Sequence, residues 1–302
     1  MSSTRKLISF DWAIKRILRH KANFAILEGF LSELLYDDIK ICQVLESESN
    51  REHAHARSNR VDLLVENAQK ELIIVEIQHE TEYDFLHRML FGVSKVVVEQ
   101  IEKKNPYSKI RKIFSIGILY FDLGQGEDYA YLGKTEFIGL NKKDVLKLSS
   151  TQQELYNTDK ISDIYPEYYL LKINQFDDHA KNKIDEWIYF LKNEQIEDSF
   201  TAKGLKEAKA ELDILKLSKE ERKEYEEYLK DLHYEASMYE SSYVVGEKKG
   251  LEQGLERGKK EGLEEGAKNK AVEMAKKLKE KGMDADFIAD TTGLSKEEIE
   301  TI

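Results

Sequence analysis

One cysteine among 302 residues excludes a disulfide framework and the small secreted classes that depend on one. That residue, Cys42, stands in an apolar stretch and reads as core filler rather than a nucleophile. No apolar run approaches the roughly 20 residues that a membrane-spanning helix needs, and no short apolar segment follows the amino terminus. A reducing, cytoplasmic setting with no membrane partner is the expectation. Positive charge is also in deficit: 47 Lys and Arg against 58 Asp and Glu give a net charge of -11. Such a balance argues against a protein that coats nucleic acid non-specifically. It leaves room for a nuclease, because a carboxylate-rich site can approach DNA once a divalent metal neutralises it. What is present in quantity is apolar side chain, 41%, enough for a packed core in one substantial domain with an extension.

Along the chain, residues 10–36 carry apolar side chains at helical spacing, with Phe24, Leu27, Leu31 and Leu34 on one stripe. The run KICQVLESES reads as a strand and leads into a polar stretch. Two further strands, RVDLLVEN and ELIIVEIQ, are separated by a short polar turn. Residues 83–104 return to helical spacing, KIFSIGILYFDL reads as a buried strand, and residues 129–140 as one more. After about Leu148 the character changes. From Asp177 to Tyr243 no strand signal remains and a wholly helical segment is expected. Glycines then stand at 246, 250, 254, 258, 262 and 266, each four residues apart. The last stretch reads as two short helices, with Ser295 as N-cap and Glu298 three residues on. The expected division is 1–150, an α/β domain; 151–243, a helical region; and 244–302, a glycine-spaced tail with a small helical element.

The chemistry concentrates in the central hairpin. If Ala68, Gln69 and Lys70 close the turn, residue 67 faces 71 and Asp62 falls opposite Glu76. Side chains alternate with period two, so both acids lie on one face, with Gln78 two residues beyond on the same face. Opposed Cβ atoms stand roughly 5 Å apart, close enough for two carboxylates to share a divalent ion. The flanking Leu63, Leu64, Val65, Ile73, Ile74, Val75 and Ile77 make the hairpin apolar on both sides, and an acid there is costly unless paired or bound to metal. Pairing with Arg57 or Arg60 is one explanation. The other is a magnesium site with hard oxygen ligands from Asp62, Glu76 and the backbone carbonyl of Ile77, manganese being a substitute ion.

Asp, a short turn, then Glu-x-Gln in an apolar strand resembles the PD-(D/E)xK nuclease superfamily, in which lysine usually holds the last position. The wider text is similar to its recombination-promoting nuclease and putative transposase (Rpn-like) branch. The matching stretches are FDWAIKRIL, NRVDLLVEN, ELIIVEIQHE, HRMLFGVSKVVVEQI, KIRKIFSIGILYF, DEWIYFLKN, KLSKEERKEYEEYL and the glycine-spaced tail, so the resemblance covers nearly the whole chain. It implies a restriction-endonuclease-like core, a central mixed sheet flanked by helices, followed by an all-helical C-terminal region. It further implies magnesium-dependent hydrolysis of DNA, with Asp62 and Glu76 as metal ligands and Gln78 at the lysine position. Glu28, on the first helical segment, is a candidate further acidic ligand; solvent exposure is its alternative. Neutral Gln78 can orient water or donate an amide hydrogen bond but offers no positive charge. Lys95 is the candidate to compensate. Without compensation, the domain would bind DNA or assemble without cutting.

Other features admit two readings each. The cluster Lys103, Lys104, Lys109, Arg111 and Lys112 around Tyr107 could hold DNA phosphates or form a solvated turn. His53, His55 and His79 flank the site and could ligate a transition metal. The glycine spacing leaves a smooth helical stripe suited to self-association into a homo-oligomer, or marks a flexible charged tail. The terminal helices, with Lys296 alone in the second, read as a cap or partner-binding element rather than a DNA reader.

Overall fold

The computed structural model describes residues 7–16, 21–45, 62–101 and 106–302. Arg57 and Arg60, His53 and His55, and Lys103 and Lys104 lie outside the described residues. The chain divides into two compact units, Met1–Asp231 and Leu232–Ile302.

In the first unit, the apolar stripe near the start forms α1 (Phe10–Arg16) and α2 (Phe24–Leu35). Phe24, Leu27, Leu31 and Leu34 are all buried, as their spacing requires. Then follow β1 (Ile41–Leu45), β2 (Leu63–Asn67) and β3 (Leu72–Gln78) as an antiparallel set. Residues 68–70 form the tight turn between β2 and β3. Asn67 N–H reaches the Glu71 carbonyl, Lys70 N–H reaches the Asn67 carbonyl, and Lys70 adopts a left-handed φ of 67°, the geometry typical of such loops. This loop sets the register as Leu63 opposite Val75 through Glu66 opposite Leu72.

Helix α3 (Phe85–Gln100) crosses to β4 (Ile113–Leu119), which lies parallel to β3. Beyond it come β5 (Ala130–Gly133), α4 (Ser150–Tyr156) and β6 (Glu167–Lys172). Among the described residues the sheet has six strands in the order β1-β2-β3-β4-β6-β5. The expected helical region from 151 therefore needs correcting: it contributes β6, which pairs parallel with β4 and antiparallel with β5. EYYLLK is six residues of aromatic and aliphatic side chain without clean alternation, a pattern that does not separate strand from helix.

One face of the sheet packs Leu63, Val65, Ile73, Val75, Ile77, Ile116 and Ile118 against α1, α2 and α5 (Lys183–Asn193). At its centre Phe10, Phe30, Trp187 and Phe190 meet edge to face, with ring centroids 5.4–6.2 Å apart. Truncating one such ring typically costs about 3–5 kcal/mol. Helix α6 (Leu205–Glu211) closes this layer, and a Cβ at Gly29 of α2 would stand only 2.2 Å from the Lys203 carbonyl oxygen. The opposite face packs Leu64, Leu72, Ile74 and Ile113 against Val93 and Val96 of α3. A mixed sheet flanked by helices and followed by a helical C-terminal region is the architecture that the sequence implied.

Helix α7 (Lys219–Glu280) begins in the first unit, where Tyr225 is buried and its hydroxyl accepts the Ser9 N–H. In the second unit α7 continues with the glycine positions exposed, and a Cβ built on any of Gly246 through Gly266 would meet nothing within 4 Å. Helices α8 (Ala285–Thr292) and α9 (Lys296–Glu300) fold back so that Ile288, Leu294 and Ile299 enclose Ala275. Ser295 and Glu298 form the expected capping box. Among the described residues no helix is long and apolar enough to cross a membrane.

Candidate active site

Three residues of β3 on the α3-facing side, Ile74, Glu76 and Gln78, follow from the alternation of the strand. Asp62 stands immediately before β2, one step beyond the Leu63–Val75 pair, and so comes opposite Glu76. The Ile77 backbone N–H donates to Asp62 Oδ2 at 2.7 Å. That bond fastens the first acid to the strand that bears the second. The carboxylates are close enough for Asp62 to raise the pKa of Glu76.

Glu76 is 5% exposed. Its Oε2 has no hydrogen-bond partner, although the atom is buried. Burial pushes its carboxyl up to about 7; the Arg88 guanidinium opposes this, and Asp62 and Glu82 reinforce it. A second acid on the same hairpin face is treated in the opposite way. Glu66 bonds Lys70 at 2.7 Å and also Arg111, and these partners hold it below the usual carboxylate range. The fold thus neutralises one buried acid and leaves the other short of cationic partners. A buried carboxylate oxygen with no donor costs about 1–3 kcal/mol or more, which a hard cation held between two carboxylates would relieve.

Helix α3 packs its backbone closely against this acid. A Cβ at Gly92 would lie 3.7 Å from Glu76 Oε1, so the helix presents no side chain there. One turn earlier, Arg88 donates from Nη1 to Glu82 at 2.9 Å, while its Nε stops 4.0 Å from Glu76 Oε2. In β4, Gly117 is the lateral partner of Glu76. A Cβ at that position would press to 2.9 Å from the Phe85 ring, so glycine lets the start of α3 settle on the sheet beside the acid.

The remaining candidates divide. Gln78 is half-buried, and its carbonyl accepts the Tyr120 N–H at 2.9 Å. Lys95 shares a helical stripe with Arg88 and Gly92, since steps of four and three residues return nearly to the same angle; it is half-buried. Glu28 is not brought to the site. Its Oε1 accepts the Ile41 N–H at 2.9 Å and its Oε2 pairs with Lys40 at 3.2 Å. Ile41 is opposite Asn67, and Asn67 is five residue steps along the strand from Asp62, a distance of about 16 Å. Arg111 and Lys112 likewise serve the fold: Arg111 holds Glu66, and Lys112 bonds Glu167 and the carbonyls of Ser162 and Tyr165. They sit at the Leu72 end of β3, about 20 Å of strand from Gln78.

His79 turns to the other face. Its ring stacks on Tyr120 at 4.3 Å, and its Nε2 lies 3.5 Å from Asp11 Oδ2. Asp11, 2% exposed, also accepts the Tyr228 hydroxyl at 2.5 Å. Sequence reasoning passed over Asp11, although an acid beside Trp12 in an apolar helix is a signal of a paired buried group. Among the described residues no three His, Cys, Asp or Glu side chains gather as a metal site.

Neither the curated proteins nor the solved structures contain a match to this chain. A family model described as PD-(D/E)XK nuclease family transposase matches residues 8–242, a span that starts just before α1, takes in the whole sheet and ends within α7. The chain belongs to the PD-(D/E)XK nuclease family transposases.

Proposed function

We propose that this protein is a magnesium-dependent DNA endonuclease that hydrolyses phosphodiester bonds in recombination or transposition-like processing, with manganese as a substitute ion. The observation that carries this reading is the pairing of Asp62 with the nearly buried, incompletely satisfied Glu76. Family membership supports the nuclease class, and the hard oxygen donors suit a divalent cation. Asp62, Glu76 and the Ile77 carbonyl are the residues that would hold it. A bound divalent cation supplies Lewis acidity and a water that ionises near neutral pH.

The chain's own groups have separable tasks. The Ile77 N–H fixes the rotamer of Asp62. Glu76 is nearly buried, and the scarcity of water around it strengthens every charge interaction there. Gln78 orients water or donates an amide hydrogen bond at the site's edge, and Lys95 offers a cation from α3. Self-association along the glycine-spaced face of α7 completes the reading and would place two such sites in one assembly.

The test is incubation of supercoiled plasmid with purified protein, with and without magnesium. Nicking that needs magnesium and is lost in both Asp62→Ala and Glu76→Ala supports the reading. Nicking unaltered in those variants, or absent from the wild type, sinks it.

A further inference from the structure

Position 78 carries glutamine where a nuclease of this kind needs a positive charge near the scissile phosphate, yet a cation does stand beside Glu76. Arg88 projects from the first turns of α3 on the stripe that also bears Gly92 and Lys95. Its side chain is 23% exposed, so the guanidinium is largely withdrawn from water. Glu82 holds one end of it at 2.9 Å. The other end is unusual. Nε is buried and has no hydrogen-bond partner, Glu76 Oε2 is buried and has none either, and the two atoms stop 4.0 Å apart. Opposite charges in a poorly hydrated setting attract strongly, yet this pair stops beyond hydrogen-bond reach. The carboxylate stays available to a cation, and the guanidinium keeps donors available to an anion.

Gly92 sits beside the same acid. On the turn after Arg88 it brings backbone rather than a side chain against the acid, since a Cβ there would already stand in van der Waals contact, 3.7 Å from Glu76 Oε1. A phosphodiester brought to the two acids would meet the guanidinium beside them. Arginine suits this task, since its planar fork matches two phosphate oxygens and it keeps its charge at any working pH.

We propose that Arg88, oriented by Glu82, binds the scissile phosphate and supplies the positive charge that Gln78 cannot, an inference that rests on the nuclease reading above. In the step concerned, a water oxygen bonds to phosphorus, the bond from phosphorus to the departing sugar oxygen breaks, and the proton lost by the water ends on that oxygen through solvent. Arg88 remains protonated throughout. It donates hydrogen bonds to the non-bridging oxygens as their charge grows.

Two measurements on the full chain test this: plasmid nicking in magnesium, and binding of a short DNA duplex in calcium. Removal of one preorganised donor to a developing oxyanion costs on the order of a hundredfold or more in kcat. Arg88→Gln is expected to lose cleavage on that scale, while duplex affinity falls by about tenfold or less. Arg88→Lys is expected to keep more cleavage than Arg88→Gln. Adding Gln78→Lys to Arg88→Gln returns the charge from the strand, and cleavage is expected to recover by about tenfold. A merely structural arginine would give no such recovery. Cleavage by Arg88→Gln within about threefold of wild type, or a loss that Gln78→Lys leaves untouched, overturns the proposal. Should the wild type fail to nick, the nuclease reading falls and the duplex measurement decides alone. Weaker binding by Arg88→Gln that Gln78→Lys restores keeps the phosphate contact; equal binding removes it.

Discussion

The Ile77 backbone N–H donates to Asp62 Oδ2 across 2.7 Å, and this bond makes the two acids of the hairpin one unit. Asp62 cannot turn away without leaving a strand donor unmet, and Glu76, the residue before that donor, is held beside it by the β3 backbone. Main-chain geometry thereby sets the two acids side by side.

Glu76 should make the metal-free protein less stable as pH rises. Its carboxyl is pushed from the ordinary 4.5 up to about 7 in the folded chain, chiefly by burial. Below 4.5 the group is protonated in both states and its stabilising contribution is complete. Between 4.5 and 7 the unfolded chain ionises first, so stability falls, and above 7 the loss is complete at an order of 3 kcal/mol. Thermal melts in EDTA across pH 4–8 check this. Glu76→Gln should flatten that part of the profile and melt higher than wild type at pH 8. Superimposable profiles would show that the acid is compensated in the folded state.

Gly117→Ala should loosen the start of α3. The added methyl meets the Phe85 ring at 2.9 Å, and overpacking of this size costs roughly 1–3 kcal/mol. Urea denaturation measures the loss. Phe85→Leu in the same chain should recover part of it, because the smaller side chain makes room; a strictly additive double mutant would place the strain elsewhere. Because Phe85 stands three residues before Arg88, nicking should fall in Gly117→Ala even at temperatures where the protein stays folded.

The hairpin was legible because a three-residue turn and period-two alternation leave one register, and Leu63 opposite Val75 is the register they give. Distances between separate elements were not legible. Glu28 lies on the expected helix, but where its carboxylate goes depends on where β1 crosses α2, and it meets Ile41 and Lys40. Asp11 and Arg88 reach their partners only through the packing of α1 and α3 on opposite faces of the sheet. The strand at Glu167–Lys172 escaped notice because a short aromatic run between polar loops has no period of its own.

Tyr228→Phe tests how α7 is attached to the first unit. The Tyr228 hydroxyl donates to Asp11, a buried acid that also faces His79, and burial together with Asp11 raises the hydroxyl's pKa, so it stays a donor at any working pH. Removing a donor from a buried carboxylate costs about 1–3 kcal/mol. Denaturation curves should show that loss with duplex binding unchanged. A variant as stable as wild type would mean that Asp11 relies on its other contacts.

Alanine in the glycine series separates helix formation from self-association. Each interior glycine costs a helix up to about 1 kcal/mol relative to alanine, and a Cβ at Gly254 or Gly258 meets nothing within 4 Å of the single chain. Gly254→Ala with Gly258→Ala should therefore raise helicity and the melting temperature of α7. If a second helix lies along the smooth stripe, the same methyl groups hold it off, and the sedimenting mass should fall while helicity rises. These opposite signs identify a packed glycine face. Higher helicity with unchanged mass would assign the stripe to a solvated helix, and the chain truncated after Tyr243 would then sediment in the same oligomeric state as the full-length protein.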